Sequence, residues 1–164
     1  MKGGLILLII NQCVEQGIYV VLILSLQKEH LPLRSTELSS ILAVSDSYLK
    51  KILRKMVVRG IITSSPGKDG GFQLACPLEK VSVYDIYAAL EGEEYDLKMT
   101  GIGGRIFIDD RRFTEGEQKV RNVFYKANEA FLDELRRLPL SDLVLKKNYE
   151  KGTLDFRAGK AEIK

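Results

Sequence analysis

Thiols and imidazoles are scarce in this chain of 164 residues: Cys13 and Cys76 are its two cysteines and His30 its one histidine. The cysteines stand 63 positions apart, so there is no Cys-x-x-Cys pair, and a single His does not complete a Cys/His zinc set. No metal site is expected. A disulfide framework is not expected either, which makes a reducing compartment the default. Long apolar runs are also missing. Leu5 to Ile10 is a run of six after Lys2, below the core length of a signal peptide, and Asn11, Gln12, Glu15 and Gln16 interrupt it. The run from Ile18 to Leu26 contains Ser25 and falls well short of the roughly 20 residues that a membrane span needs. A soluble cytoplasmic protein with no membrane partner is the expectation. Catalytic sets are absent too: there is no Ser/His/Asp combination and no carboxylate pair with a supporting motif, so no enzyme is expected. Gly101-Ile-Gly-Gly104 lacks the strand–turn–helix setting of a nucleotide loop and reads as a plain turn. Charge of one sign is not in surplus, since 25 Lys and Arg against 22 Asp and Glu leave +3. Where the positive charge sits therefore matters more than how much there is.

The apolar spacing that is present reads as three helices, a glycine-rich hairpin, a short helix, a variable segment and one long helix. The first helix spans about Val14 to Lys28, is apolar on most faces and should form the centre of the core. Pro32 breaks the chain after it. Ser35 is a candidate N-cap for a second helix ending near Leu42, with Glu37 favourably placed in its first turn. Ala43-Val44-Ser45 is then a three-residue connection to a third helix from Asp46 to about Arg59, closed by Gly60. Leu49, Ile52, Leu53, Met56 and Val57 form one buried stripe on that helix. Ser47, Lys51 and Arg54 fall on the opposite side, flanked by Tyr48, Lys50 and Lys55. Ile61–Ser64 and Gly71–Leu74 read as two strands around Pro66-Gly-Lys-Asp-Gly70. Ser82 with Asp85, and Thr114 with Glu117, stand at capping-box spacing for two further helices.

A short helix, a tight turn, a second helix with a basic outer face and then a hairpin make the layout of a winged helix-turn-helix. From Ser45 to Gly71, six cations face two carboxylates; the resulting +4 exceeds the net charge of the whole chain. The fold class expected is mainly α with a small β-hairpin wing, followed by a long dimerisation helix. Residues 11–92 would be the DNA-binding domain, 93–115 a variable linker, 116–144 the dimerisation helix with a short following helix, and 145–164 a polar tail, partly disordered. The stripe Val120, Val123, Phe124, Ala127, Phe131 and Leu135 on the long helix would make a homodimer; packing within one chain is the alternative.

The motifs go further than the layout. Arg34-Ser-Thr-Glu-Leu38, Ser45-Asp-Ser-Tyr-Leu-Lys-Lys-Ile-Leu53, Gly60-Ile-Ile62, Gly67-Lys-Asp-Gly-Gly-Phe-Gln-Leu-Ala75 and Val83-Tyr-Asp-Ile-Tyr-Ala-Ala-Leu-Glu-Gly92 resemble the Rrf2 family. These are bacterial winged-helix transcription regulators that include the iron–sulfur cluster regulator, the nitric-oxide-sensing repressor and the cysteine-metabolism repressor. The resemblance implies a regulator, more in the manner of a repressor, that binds double-stranded DNA. It places recognition positions on Ser45, Ser47, Tyr48, Lys50 and Lys51, with the hydroxyls on phosphates and the lysines toward base edges. Arg54 and the wing residues Ser65, Gly67, Lys68 and Gly71 complete the expected DNA-contacting set. Lysine suits guanine O6 and N7, so a G-containing half-site is expected. Pro66 departs from the pattern, since many relatives carry Arg before the first wing glycine.

Cluster-binding relatives carry three cysteines between the fourth helix and the long helix, and Gly92 to Phe113 contains none. No iron–sulfur cluster or other cofactor is therefore expected. Cys13 and Cys76 are either redox-sensing thiols or ordinary packing residues. An effector, protein or small molecule, is expected at the variable segment Glu93 to Arg112. A winged-helix protein-interaction module that does not read DNA is the rival reading.

Overall fold

The computed structural model describes residues 11–92, 102–106 and 111–158. Helix α1, Gln12–Leu26, starts where the Asn11 side chain accepts a hydrogen bond from the Cys13 N–H (3.4 Å). Val14, Val20, Val21, Ile23, Leu24 and Leu26 are all buried, so α1 runs through the middle of the core. Helix α2, Ser35–Ile41, is entered one residue earlier than expected. Its N-cap is Arg34, whose N–H donates to the Glu37 carboxylate (2.6 Å), and Ser35 is already helical. Ala43 turns the chain with φ 54°, and Ser45 caps α3, Asp46–Val58, by accepting from the Tyr48 N–H (3.3 Å).

Leu49, Ile52, Leu53 and Met56 of α3 are at most 4 % exposed, which fixes the rotation of the helix about its own axis. Each such side chain is worth about 1.5–3 kcal/mol of burial. Gly60 then reverses the chain at φ 69° into β1, Ile62–Ser65, which pairs antiparallel with β2, Gly71–Leu74, with Ser65 opposite Gly71. Leu33 adds a third rung, exchanging hydrogen bonds with Phe72 (3.0 and 2.8 Å). Helix α4, Val83–Glu91, has the expected box: Asp85 N–H donates to Ser82 Oγ (3.3 Å) and Ser82 N–H to Asp85 Oδ2 (2.7 Å). It packs on α1 and α3.

Three expectations change beyond α4. Residues 102–106 form a helix, α5 (Ile102–Ile106), where a plain turn was expected around the glycines. The long helix α6 runs Arg111–Arg137, so Thr114 lies inside it and does not cap it; the polar residues before Thr114 carry no apolar period that would have revealed them as helical. The chain after Val144 is also packed and not disordered as far as residue 158. Helix α7, Lys146–Lys151, buries Tyr149, and the strap that follows pairs with the end of α1. Lys28 N–H donates to Leu154 O (2.7 Å) and Leu154 N–H to Leu26 O (2.9 Å). Gly152 makes the turn at φ 58°, where a Cβ would lie 2.0 Å from Gln27 O, so no other residue fits without moving backbone. The strap is held by two half-buried apolar side chains, Leu154 and Phe156, and by backbone pairing, neither of which has a sequence period.

Candidate nucleic-acid interface

The outer face of α3 is exposed, and β1 of the hairpin packs against the same helix. Ser47, Lys51 and Arg54 are exposed there, as expected from the stripe opposite them. Among the described residues neither Lys51 nor Arg54 has a hydrogen-bond or ion-pair partner within the chain, so both cations are available to a ligand. Lys50 is different. Its Nζ lies 2.6 Å from Asp46 Oδ2, one turn back on the same helix, and the neighbouring ammonium holds the Asp46 carboxyl below its usual range. Lys55 leaves the basic face altogether and donates to Leu90 O of α4 (2.6 Å).

The hydroxyls have local work. Ser45 is the α3 cap, with its Oγ 3.5 Å from Ser47 Oγ. Ser65 Oγ accepts from Gly71 N–H (3.3 Å) and so closes the base of the wing. Tyr48 is 37 % exposed at the start of α3. Gly67 and Lys68 stand at the exposed tip. Arg34 is the contributor that the charge pattern of α3 and the hairpin did not single out: its guanidinium donates to the Lys68 carbonyl and ties the tip to the start of α2. Its place in the Arg34-Ser-Thr-Glu-Leu38 motif was the available signal.

The sequence of residues 10–146 matches the profile of the Rrf2 family, described as an iron-dependent transcriptional regulator. The chain belongs to the Rrf2 family. Similar proteins include two named as HTH-type transcriptional regulators, YffB of Lactococcus lactis, 46 % identical over 78 residues, and YwgB of Bacillus subtilis, 45 % identical over 78 residues. Each of these matches covers 48 % of this chain and 50 % of the relative, so the chain spans about half the length of the curated relatives it matches. The structure of CymR, the global cysteine regulator of B. subtilis, superposes with a TM-score of 0.60 at 19 % identity, covering 82 % of this chain and 94 % of that one. The winged-helix architecture is thus common to both.

Iron is the cofactor that the family description implies, and the thiols here do not fit it. Cys13 Sγ donates to Glu91 Oε1 (3.0 Å), and burial first, then that bond and the Glu91 charge, push the thiol up to about 11. A ligand to iron needs the reverse, a stabilised thiolate. Cys76 follows β2 and lines a hollow together with His30 and Tyr149, and burial raises its thiol as well. Among the described residues no group of three or more His, Cys, Asp or Glu side chains is arranged to hold a metal. Among them, too, no helix is long and apolar enough to cross a membrane.

A second surface lies on α6. Phe131, Leu132 and Leu135 turn toward the rest of the chain: Phe131 meets Tyr87 edge-on at 5.5 Å, Leu132 is buried, and Arg136 stacks 4.1 Å over Tyr84. Val120, Val123, Phe124 and Ala127 are exposed, Val123 by 65 %. The stripe expected to form one dimer face therefore divides in two, and Leu132 was not in it. The segment expected to hold an effector lies at 93–101 and 107–110 outside the described residues.

Proposed function

We propose that this Rrf2 protein is a homodimeric DNA-binding repressor that reads a pseudo-palindromic operator without an iron–sulfur cluster. The observation that carries the reading is the uncompensated pair Lys51 and Arg54 on a helix whose opposite stripe is locked into the core, next to a wing with Lys68 at its tip. Such a helix enters a major groove with Lys51 toward base edges, while Arg54, Ser47 and the wing hold phosphates. Tyr48, beside them, adds its ring and hydroxyl. Ser45, Ser65, Gly67 and Gly71 contribute by shaping the helix start and the hairpin. Lys50 is the weaker reader, because Asp46 already takes its charge.

The exposed half of the α6 stripe supports a second copy of the chain as partner: four small-to-large apolar positions on one helix face are what a symmetric helix pair covers. Two recognition helices then fall about one DNA turn, 34 Å, or a small multiple apart. A regulator that acts on DNA works where the chromosome is, which is the basis for a cytoplasmic location.

Selection of bound sequences from random duplexes, followed by a salt titration on the selected site, tests the reading. A two-fold symmetric motif and a steep linear fall of log affinity with log salt are expected. Absence of enrichment, or binding that is indifferent to salt, would instead establish a winged-helix module that binds protein.

A further inference from the structure

The wing is short of cations. Between Ile62 and Leu74 its one Lys or Arg is Lys68. Two more are brought to it from elsewhere in the chain. The strap that follows α7 runs along the end of α1, where Phe156 N–H donates to Gln27 Oε1 (3.0 Å), and then reaches the segment that forms the wing's third rung. There Arg157 Nη2 donates to Pro32 O (2.7 Å), one residue before Leu33 pairs with Phe72. Arg34, next along, donates to Lys68 O. Arg34, Lys68 and Arg157 consequently line one hollow of about 160 Å³ together with Glu37, Asp69 and Gly70.

All three cations are exposed. Of the two carboxylates, Glu37 is engaged in closing the start of α2 through the Arg34 N–H. Both arginines use one guanidinium nitrogen on a backbone carbonyl, an arrangement that fixes the side chain and leaves the rest of a planar fork of five N–H donors facing outward. A fixed guanidinium beside a lysine is suited to a phosphodiester oxygen, and in the DNA-binding reading above the wing tip lies against the duplex backbone.

We infer that Arg34, Lys68 and Arg157 form a DNA-backbone anchor, in which the strap after α7 supplies the third cation from 89 positions away in sequence. The inference rests on the DNA-binding reading above and extends it to a segment outside the helix-turn-helix and the hairpin. The anchor contributes affinity on every sequence and no discrimination between bases, because phosphates carry no sequence information.

The test uses the full chain and the duplex obtained by selection, with a random duplex beside it, in fluorescence-anisotropy titrations at several salt concentrations. Arg157→Gln removes the charge and keeps a polar side chain on the exposed strap. It is expected to weaken both duplexes by the same several-fold factor and to flatten the log–log salt slope by about 0.9 per subunit. Arg157→Lys should recover most of the slope. Thermal melting separates loss of charge from loss of fold, since Arg157→Gln should melt with the parent. Arg54→Ala serves as the control for phosphate contact on α3, with a flattening of about one unit per subunit. If the parent protein shows the steep slope and Arg157→Gln keeps it unchanged, the anchor is overturned and the DNA-binding reading stands. A loss of affinity with no change in slope also overturns it, by assigning Arg157 to packing. If the parent does not bind duplex DNA, both fall.

Discussion

Lys51→Ala is expected to weaken binding to the selected operator more than binding to random duplex, by about 1–3 kcal/mol on the preferred site. Lys50→Ala should cost less than Lys51→Ala, because the Lys50 ammonium already spends its charge on Asp46 at 2.6 Å. Parallel titrations on both duplexes check this order; equal loss on both duplexes would confine the two lysines to phosphate contacts. The neighbouring pair looks equivalent in sequence, and the difference arises from a carboxylate one turn earlier. Cys13 is a second case in which one neighbour decides. Its thiol stands at about 11 through burial, the Glu91 hydrogen bond and the Glu91 charge, all of which favour the protonated form. At pH 8 roughly one molecule in a thousand carries the thiolate, so alkylation of Cys13 should be slow there and accelerate only as pH rises toward 11. Glu91→Gln removes the charge and should speed the reaction at fixed pH. Mass spectrometry of the Cys13 peptide against time reads both, and fast alkylation of the parent at neutral pH would restore a sensing role to this cysteine.

At the scale of elements, the strap and α6 carry the sharpest expectations. Gly152→Ala places a methyl group 2.0 Å from Gln27 O in a backbone conformation that L side chains avoid. It should cost about 2 kcal/mol or more in chemical denaturation. The amides of Lys28 and Leu154 should lose protection from hydrogen exchange ahead of the core. On α6, two substitutions nine positions apart should behave oppositely. Leu132→Ala removes a buried side chain and should destabilise the fold by about 2–5 kcal/mol without changing subunit number. Val123→Asp alters a side chain that is 65 % exposed in the single chain, so it should leave the fold intact and convert the proposed dimer to monomer in light scattering. Local signals made most of these elements readable beforehand. Ser45, Gly60 and the Ser82/Asp85 box act within four residues of themselves, and the structure has each of them where the sequence puts it. Thr114 and Glu117 have the same spacing and no such effect, since a capping box needs a non-helical first residue and α6 is already under way.

For the whole molecule, the proposed homodimer sets two recognition helices on a two-fold axis, so affinity should depend on their separation. Inserting five base pairs between the halves of the selected operator puts them on opposite sides of the duplex and should reduce binding to that of a single half-site. Gel shifts with the altered duplex measure this; unchanged affinity would argue against a rigid pair. What the sequence did not disclose at this scale is how distant segments converge. Leu33 joining Phe72, Lys55 turning to Leu90 O and Leu154 lying along Gln27 depend on residues 35 or more positions away, and no period or motif marks such meetings. The split of the α6 stripe is of the same kind: Phe131 and Val123 are both apolar positions of one stripe, and the packing of α4, with Tyr87 against Phe131, half-buries the one and leaves the other exposed.

The pairing of Gln27 with Leu154 also sets an order in time. Contacts between α1, α3 and α4 join parts of the chain that are closer in sequence, whereas the strap closes a loop that spans nearly the whole described chain. Loop closure of that length is entropically costly and is repaid only after the core has formed. The strap is therefore expected to gain protection after the core in pulse-labelling hydrogen exchange during refolding, read at the Leu154 amide; protection of that amide together with the core would contradict it. In that order, a newly made chain would have its helix-turn-helix complete before Arg157 reaches the wing.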